Sequence, residues 1–403
     1  MKLLHTSDWH LGKKLDTFSR LEEQEAVLNE IAQIAEAEKV DAVLIAGDLF
    51  DTFNPPVEAV ELFYRTLKKL SRNGSCPVIA IAGNHDSPDR IEAPDPLARE
   101  LAIILAGYPV SEIRPFKNDA GVELLQSKAG FIELKVPGFD YPLRIILNPY
   151  ANQYRIKKYL GVEDEEAELR EVLQSSWKQI ADSYCDTKGV NVLLSHMFFV
   201  SGKDEVPEEP DDEKSILHLG GVQALYPENI PSEIQYAAIG HLHRRQTVAE
   251  TPCPVVYSGS PLSYSFSEAN QQKFVQIIDL EPGEKAKVDK KTLKSGKKLL
   301  RASFDDIDKA VHWLEINKDN LIELSIVSDD FLTADERKRL KNAHQHIINI
   351  IPEIKSAQAE DAMISKIDIK KNMEELFVDY FQYRKGQKPN DDLMDLFREI
   401  SGV

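Results

Sequence analysis

Five short apolar runs in this sequence each break off into a polar cluster, and that repetition constrains the fold more than any other feature. Leu3-Leu4 leads into Thr6-Ser7-Asp8-Trp9-His10, residues 42–46 into Gly47-Asp48, and 78–82 into Gly83-Asn84-His85-Asp86. Later, 192–194 leads into Ser195-His196 and 237–239 into Gly240-His241-Leu242-His243. Apolar runs this short, bounded by turn residues, suit buried strands. Helical stretches at 21–38 and 57–70 separate the early ones, so an α/β sheet domain is expected whose strand ends share one edge. Ligands in open sheets sit at the carboxyl ends of strands, where each of these clusters falls.

Taken singly, a DxH or GD dipeptide at a strand end is usually an ordinary turn. Together the clusters supply carboxylate, amide oxygen and imidazole at five neighbouring strand ends. They hold five of the ten histidines: His10, His85, His196, His241 and His243. Packing does not demand such clustering. Imidazole with carboxylate suits manganese, iron or zinc better than magnesium. A carboxylate can bridge two ions about 3.5–4 Å apart, an arrangement that hydrolyses phosphate esters by in-line displacement.

The set DxH, GDxxD, GNHD, SH and GHxH resembles the calcineurin-like metallophosphoesterases. The flanking residues His5 to Gly12, Gly47-Asp48-Leu49-Phe50-Asp51 and Tyr257-Ser258-Gly259-Ser260-Pro261 are similar to those of bacterial nuclease subunits related to double-strand-break repair nucleases. The resemblance implies an αββα sandwich with a smaller α/β cap and a C-terminal helix pair. It implies two divalent metal ions, with manganese preferred. One ion would be held by Asp8, His10, Asp48 and His243, the other by Asp48, Asn84, His196 and His241, with Asp48 bridging. His85 would act on the leaving oxygen without binding metal, and Asp86 would be its orienting carboxylate. Many archaeal and eukaryotic relatives carry a histidine where this chain has Asp51, so Asp51 is expected to support the site or the fold. The implied activity is double-strand exonuclease and single-strand and hairpin endonuclease action on DNA, in repair and recombination, with an ATPase partner.

Composition has to be reconciled with that reading. Acids outnumber bases, 67 to 49, for a net charge of −18, which argues against a simple basic nucleic-acid binder but not against an enzyme that recruits cations. Nearly all of the excess lies before residue 280, much of it in acidic runs at 163–171 and 204–213 that suit solvated surface. Residues 285–301 hold eight bases against one acid and suit either a linker or a DNA-facing edge. Three domains are expected: 1–280 for nuclease chemistry, 281–371 as a DNA-binding cap, and 372–403 as a helix–loop–helix for the ATPase. Within the cap, helices are expected at 306–317 and 334–345, with strands at 321–327 and near 364–369. The sequence has no GxxxxGK[ST] loop, so ATP dependence would come from the partner. The family also implies a homodimer, through the region of Val57, Val60, Tyr64 and Leu67.

Cys76, Cys185 and Cys253 are widely spaced and suit reduced thiols of a cytoplasmic protein. The amino-terminal residues do not suit a signal peptide, and no stretch approaches the ~20 apolar residues of a membrane span. His5, His218, His312, His344 and His346 are expected to be structural or surface residues, and Trp9 to pack beneath the site. Two other functions compete. A small-molecule phosphodiesterase of the same superfamily would use the same site residues, but needs no large basic-edged cap. A non-catalytic scaffold would have no reason to keep all seven ligands and His85.

Overall fold

The computed structural model describes residues 1–151, 169–202, 224–328 and 332–354, together with Glu374, Leu376, Phe377, Val378, Phe381, Pro389, Leu393, Met394 and Phe397. It divides into two units, one of residues 1–301 with 319–323, the other of 302–318 with 324–403.

The first unit holds two large sheets. The six-stranded one runs in the order Lys287–Thr292, Phe274–Asp279, Lys2–Thr6, Ala42–Ala46, Val78–Ile81, Ile103–Ala106. Its last four strands are parallel, in registers such as Leu3 with Ala42, Val43 with Val78, and Val78 with Ile103. The seven-stranded sheet runs Gln246–Ala249, Val255–Tyr257, Tyr236–Gly240, Val190–His196, Leu143–Asn148, Phe131–Lys135, Glu123–Lys128.

Alternation along the strands sorts the core into three layers. Leu3, Leu44, Ile79 and Ile104 point inward and meet Ile132, Ile145, Val192, Leu194 and Ala238 of the other sheet. Their neighbours Leu4, Val43, Ile45, Val78 and Ala80 point outward and pack with Val27, Ile31, Phe63 and Leu67 of helices Leu21–Ala37 and Val57–Leu70. On the far face, Leu193, Ala237 and Ile239 pack with Leu169, Leu173 and Trp177 of helix Leu169–Tyr184. The result is the expected αββα sandwich. Each fully buried Leu, Ile or Val side chain contributes roughly 1.5–3 kcal/mol.

The basic run at 285–301 belongs to this layering. Lys287–Thr292 pairs antiparallel with Phe274–Asp279 as an edge strand, which carries the first unit past residue 280. The run is tied to the acidic helix beside it: Lys291 pairs with Glu38 at 2.9 Å, and the Lys294 and Lys297 amides donate to Glu30 and Glu23.

Strands Leu299–Phe304, Leu321–Ser328 and Ile347–Ile354 form a three-stranded sheet, associated in sequence with helices Ile307–Ile316 and Ala334–Ala343. Asp306 and Thr333 cap those helices, Thr333 in a capping box with Glu336. The strand at Ile347–Ile354 has no counterpart in the sequence expectation, and the one expected at 364–369 lies outside the described residues. Of the terminal segments, Phe377 stacks on Phe397 at 4.1 Å, so apolar positions of the two expected helices meet each other. The run at 204–213, most of that at 163–171, and His218 also lie outside the described residues.

Candidate metal centre

All five polar clusters arrive at one edge of the sandwich, each at the carboxyl end of its strand. Asp8 and His10 follow Lys2–Thr6, Asp48 follows Ala42–Ala46, and Asn84 and His85 follow Val78–Ile81. His196 closes Val190–His196, and His241 and His243 follow Tyr236–Gly240. The chain turns sharply to bring them in. Asp8, His10, Asp48 and His241 all take positive φ, at 53°, 44°, 48° and 111°. Non-glycine residues held there cost energy that the surrounding fold must offset, and such residues concentrate at functional sites. Two motif glycines are steric necessities. A Cβ on Gly83 would lie 2.1 Å from Asp48 Oδ1, and one on Gly240 would lie 1.8 Å from the Ala46 carbonyl.

Asp48 is central. Its Oδ2 lies 3.5 Å from His10 Nε2 and 3.4 Å from His196 Nε2, while Oδ1 accepts from the His85 amide at 3.0 Å. On one side, Asp8, His10 and His243 bring ligand atoms together, with His10 Nε2 and His243 Nε2 only 2.9 Å apart. On the other, Asp8, Asp48 and His196 converge, and Asn84 Oδ1 lies 3.0 Å from His196 Nε2 and 3.1 Å from His241 Nδ1. All seven sequence-selected ligands therefore meet. Asp8 is held from behind: its Oδ1 accepts from the His241 amide at 2.9 Å and its Oδ2 from Ser7 Oγ at 2.5 Å, Ser7 in turn meeting Ser258 Oγ.

Burial sets the electrostatics. The six carboxylates and imidazoles are almost fully enclosed, while Asn84 and His85 are half-buried. Burial pushes the Asp8 carboxyl up to about 6 against the pull of His196 and His243. The same burial acts on Asp48, but His196, His10 and His85 outweigh it and hold that carboxyl well below the usual range. For His196, Asp48 and Asp8 overcome burial and lift the imidazole to about 9. Burial drives His10 and His241 down to about 3.

This donor set fits divalent cations. Among the described residues, the ion-pair partners of Asp8 and Asp48 are histidines, with no Lys or Arg among them. His241 Nε2 is buried with no hydrogen-bond partner among them either. Buried carboxylates and imidazole lone pairs that face one another are what a cation offsets.

Two residues depart from the sequence expectation. Asp86 does not orient His85. Its buried carboxylate accepts from the amides of Gly83, Leu49 and Phe50 at 2.8, 3.0 and 2.9 Å, pinning the loop that carries Asp48. Burial and the charge of Asp48 still lift it to about 6. His85 Nδ1 instead faces the Asp51 carbonyl oxygen at 2.8 Å, so a backbone acceptor sets its tautomer. The Asp51 carboxylate pairs with Lys13 at 2.8 Å and approaches His10 Nδ1 at 3.6 Å. Sequence reasoning also misses Glu268 and Lys273, which lie behind His243. Their signal, a buried acid and base five residues apart in an otherwise polar loop, is invisible without the fold.

The remaining residues have structural roles. Trp9 is fully buried, donates to Thr6 Oγ1 at 3.1 Å and meets Phe63 edge-on. His5 is buried beside Tyr236. Cys76 and Cys253 are buried free thiols and Cys185 is half-buried. Among the described residues, no helix is long and apolar enough to cross a membrane.

Comparison with known proteins places this geometry in context. Residues 1–245 match the family model of calcineurin-like phosphoesterases. The chain is 36% identical over 412 residues to the SbcD subunit of the SbcCD nuclease of Bacillus subtilis, across 100% of this chain and 98% of that protein. It is 26% identical to the Staphylococcus epidermidis protein of the same name, covering 94% and 92% of the two chains. For the Rhodobacter capsulatus protein, the identity is 32% over 290 residues, covering 70% and 67%.

Proposed function

Because the chain belongs to the calcineurin-like phosphoesterases, and within them to the SbcD nuclease family, we propose that it is a metal-dependent DNA nuclease that hydrolyses phosphodiester bonds at this centre. The observation that carries the reading is the position of Asp48, within 3.5 Å of an imidazole on each side. Asp8, His10, Asp48 and His243 would hold one divalent ion. Asp48, Asn84, His196 and His241 would hold the other, with manganese the metal that the imidazole-rich set favours. Bound there, the two ions would supply water activation and stabilise charge on the phosphoryl oxygens.

The chain's own residues complete the chemistry. Asp8 and Asp48 offer negative charge from fixed, backbone-anchored positions, so little reorganisation is needed when a cation enters. Asp86 keeps the Asp48 loop in place through its three amide contacts. His85 has Nδ1 occupied by the Asp51 carbonyl, which leaves Nε2 to hold or deliver a proton. As water oxygen bonds to phosphorus and the ester P–O bond breaks, that proton would pass to the departing oxygen.

The family supports action on duplex ends, hairpins and single strands, jointly with the SbcC ATPase. The stacking of Phe377 on Phe397 supports 372–403 as a compact docking element for SbcC. Exposed Phe53 and Val57, at the start of helix Val57–Leu70, support that helix as a homodimer contact.

One assay tests the proposal: manganese-supplemented hydrolysis of a linear duplex, a hairpin and a chromogenic phosphodiester. Cleavage of both DNA substrates is expected. Hydrolysis confined to the chromogenic ester would replace this reading with a small-molecule phosphodiesterase.

A further inference from the structure

Behind the two facing imidazoles of the first ion site stand two carboxylate–lysine pairs, arranged alike. His10 Nε2 and His243 Nε2 lie 2.9 Å apart, so both rings aim the same nitrogen into the site. The opposite nitrogen of each faces a carboxylate, His10 Nδ1 to Asp51 Oδ1 at 3.6 Å and His243 Nδ1 to Glu268 Oε1 at 3.4 Å. Each carboxylate is in turn bound by a lysine, Asp51 by Lys13 at 2.8 Å and Glu268 by Lys273. The row Lys13, Asp51, His10, His243, Glu268, Lys273 thus spans the site from one wall to the other.

The second pair is built in deeply. Glu268 is 1% exposed and Lys273 8%. Lys273 Nζ also donates to the His243 carbonyl and to Ser260 Oγ, both at 3.0 Å, and the Tyr264 amide donates to Glu268 Oε1 at 3.0 Å. Gly259, at φ +75°, lets the loop close on His243, because a Cβ there would lie 2.8 Å from the His243 carbonyl oxygen. The lysine therefore grips both the backbone of His243 and the carboxylate facing its ring. Burying a lysine and a glutamate is costly unless both are fully partnered, and packing alone would be served as well by apolar side chains.

A carboxylate on one imidazole nitrogen fixes the tautomer, holds the ring plane and strengthens the other nitrogen as a ligand. By contrast, carbonyl oxygens face Nδ1 of His196, from Ala46 at 2.7 Å, and of His85. We propose that Glu268–Lys273 and Asp51–Lys13 are positioning pairs for a single ion, the one held by His10 and His243, and make that site the tighter of the two. This inference rests on the two-ion reading above. It assigns the polar loop 257–273 to metal affinity, and it gives Asp51 a role its sequence position does not reveal.

The test titrates metal-free protein with Co2+ alone, following heat and visible absorption, with thermal melting of the metal-free chain alongside. The informative variant is Glu268→Leu with Lys273→Met, which removes the buried pair together so that neither charge is left unpartnered. It is expected to melt as the wild type does, yet to bind one of its two ions about 10–100-fold more weakly. The absorption of that ion should change while the other is untouched. Asp51→Ala, whose backbone carbonyl still serves His85, should weaken the same ion by a smaller factor. Glu268→Gln, whose amide oxygen still accepts from Nδ1–H, should restore most of the loss. Wild-type affinity for both ions in the double variant, or equal weakening of both, would overturn the inference. A wild-type chain that binds no Co2+ would overturn the two-ion reading, and this inference with it.

Discussion

The interior between the two sheets and the carboxyl edge of the same sheets are neighbours with opposite character. In the interior, Leu3, Leu44, Ile79 and Leu194 sit in regular strands with no polar side-chain atom to satisfy. A few residues further along the same strands, Asp8, Asp48 and His196 are as deeply buried but charged, and two of them sit at positive φ. The chain tolerates the second region because the first is rigid. Apolar burial of roughly 1.5–3 kcal/mol per side chain can offset several strained, desolvated groups. The cluster is where stability is given up, and cations are what would restore it.

Substitutions separate the two regions. The largest effect is expected of Asp48→Ala, which should lose both ions by metal analysis and reduce hydrolysis to background. Retention of one ion would remove Asp48 from the bridging position. His85→Ala should keep both ions and fold normally while hydrolysis falls about 10²–10⁴-fold; unaltered turnover would take His85 out of the chemistry. In the interior, Leu44→Ala should cost about 2–5 kcal/mol in denaturant unfolding, with or without metal. Asp8→Asn should cost less in the metal-free chain than Leu44→Ala does, because a carboxyl lifted to about 6 is already disfavoured as an anion there. It should nevertheless abolish the stabilisation that added metal gives. Equal losses for Leu44→Ala and Asp8→Asn in metal-free protein would erase the contrast.

The smallest effect is a pH dependence. His10 and His241 titrate near 3 in the folded chain against 6.5 when unfolded, so between those values the unfolded state binds more protons. Their contribution is fully present above pH 6.5 and is lost as pH falls toward 3. Thermal melts of metal-free protein should drop through that window. Replacing both histidines by Gln should flatten that part of the curve, and an unchanged slope would show that the loss arises elsewhere.

Much of the site is legible in the sequence because its ligands lie at a recurring local position, the polar residue just after a short apolar strand. Asp8, His10, Asp48, Asn84, His196, His241 and His243 are all of that kind, and the αββα layering follows from the same alternation. What sequence does not assign are contacts between residues far apart in the chain. Asp86 follows His85 directly, and adjacency points to a dyad; the fold turns its carboxylate onto the amides of Gly83, Leu49 and Phe50 instead. Acidity, taken as a bulk property, runs against a DNA substrate. In the structure, several of the acids are occupied: Glu23, Glu30 and Glu38 hold the basic run 285–301 against the first sheet.

The sequence by itself determined which residue types reach the carboxyl edge, because strand periodicity and turn residues are local properties. Only the tertiary structure decided how they pair. Asp51 faces His10 with its carboxylate and His85 with its carbonyl. Glu268 and Lys273, 25 and 30 residues beyond His243, are brought behind its ring by the return of the chain into strand Phe274–Asp279. Orientation of an imidazole depends on what stands at its far nitrogen, and that neighbour is supplied by packing between distant segments, which no local pattern records.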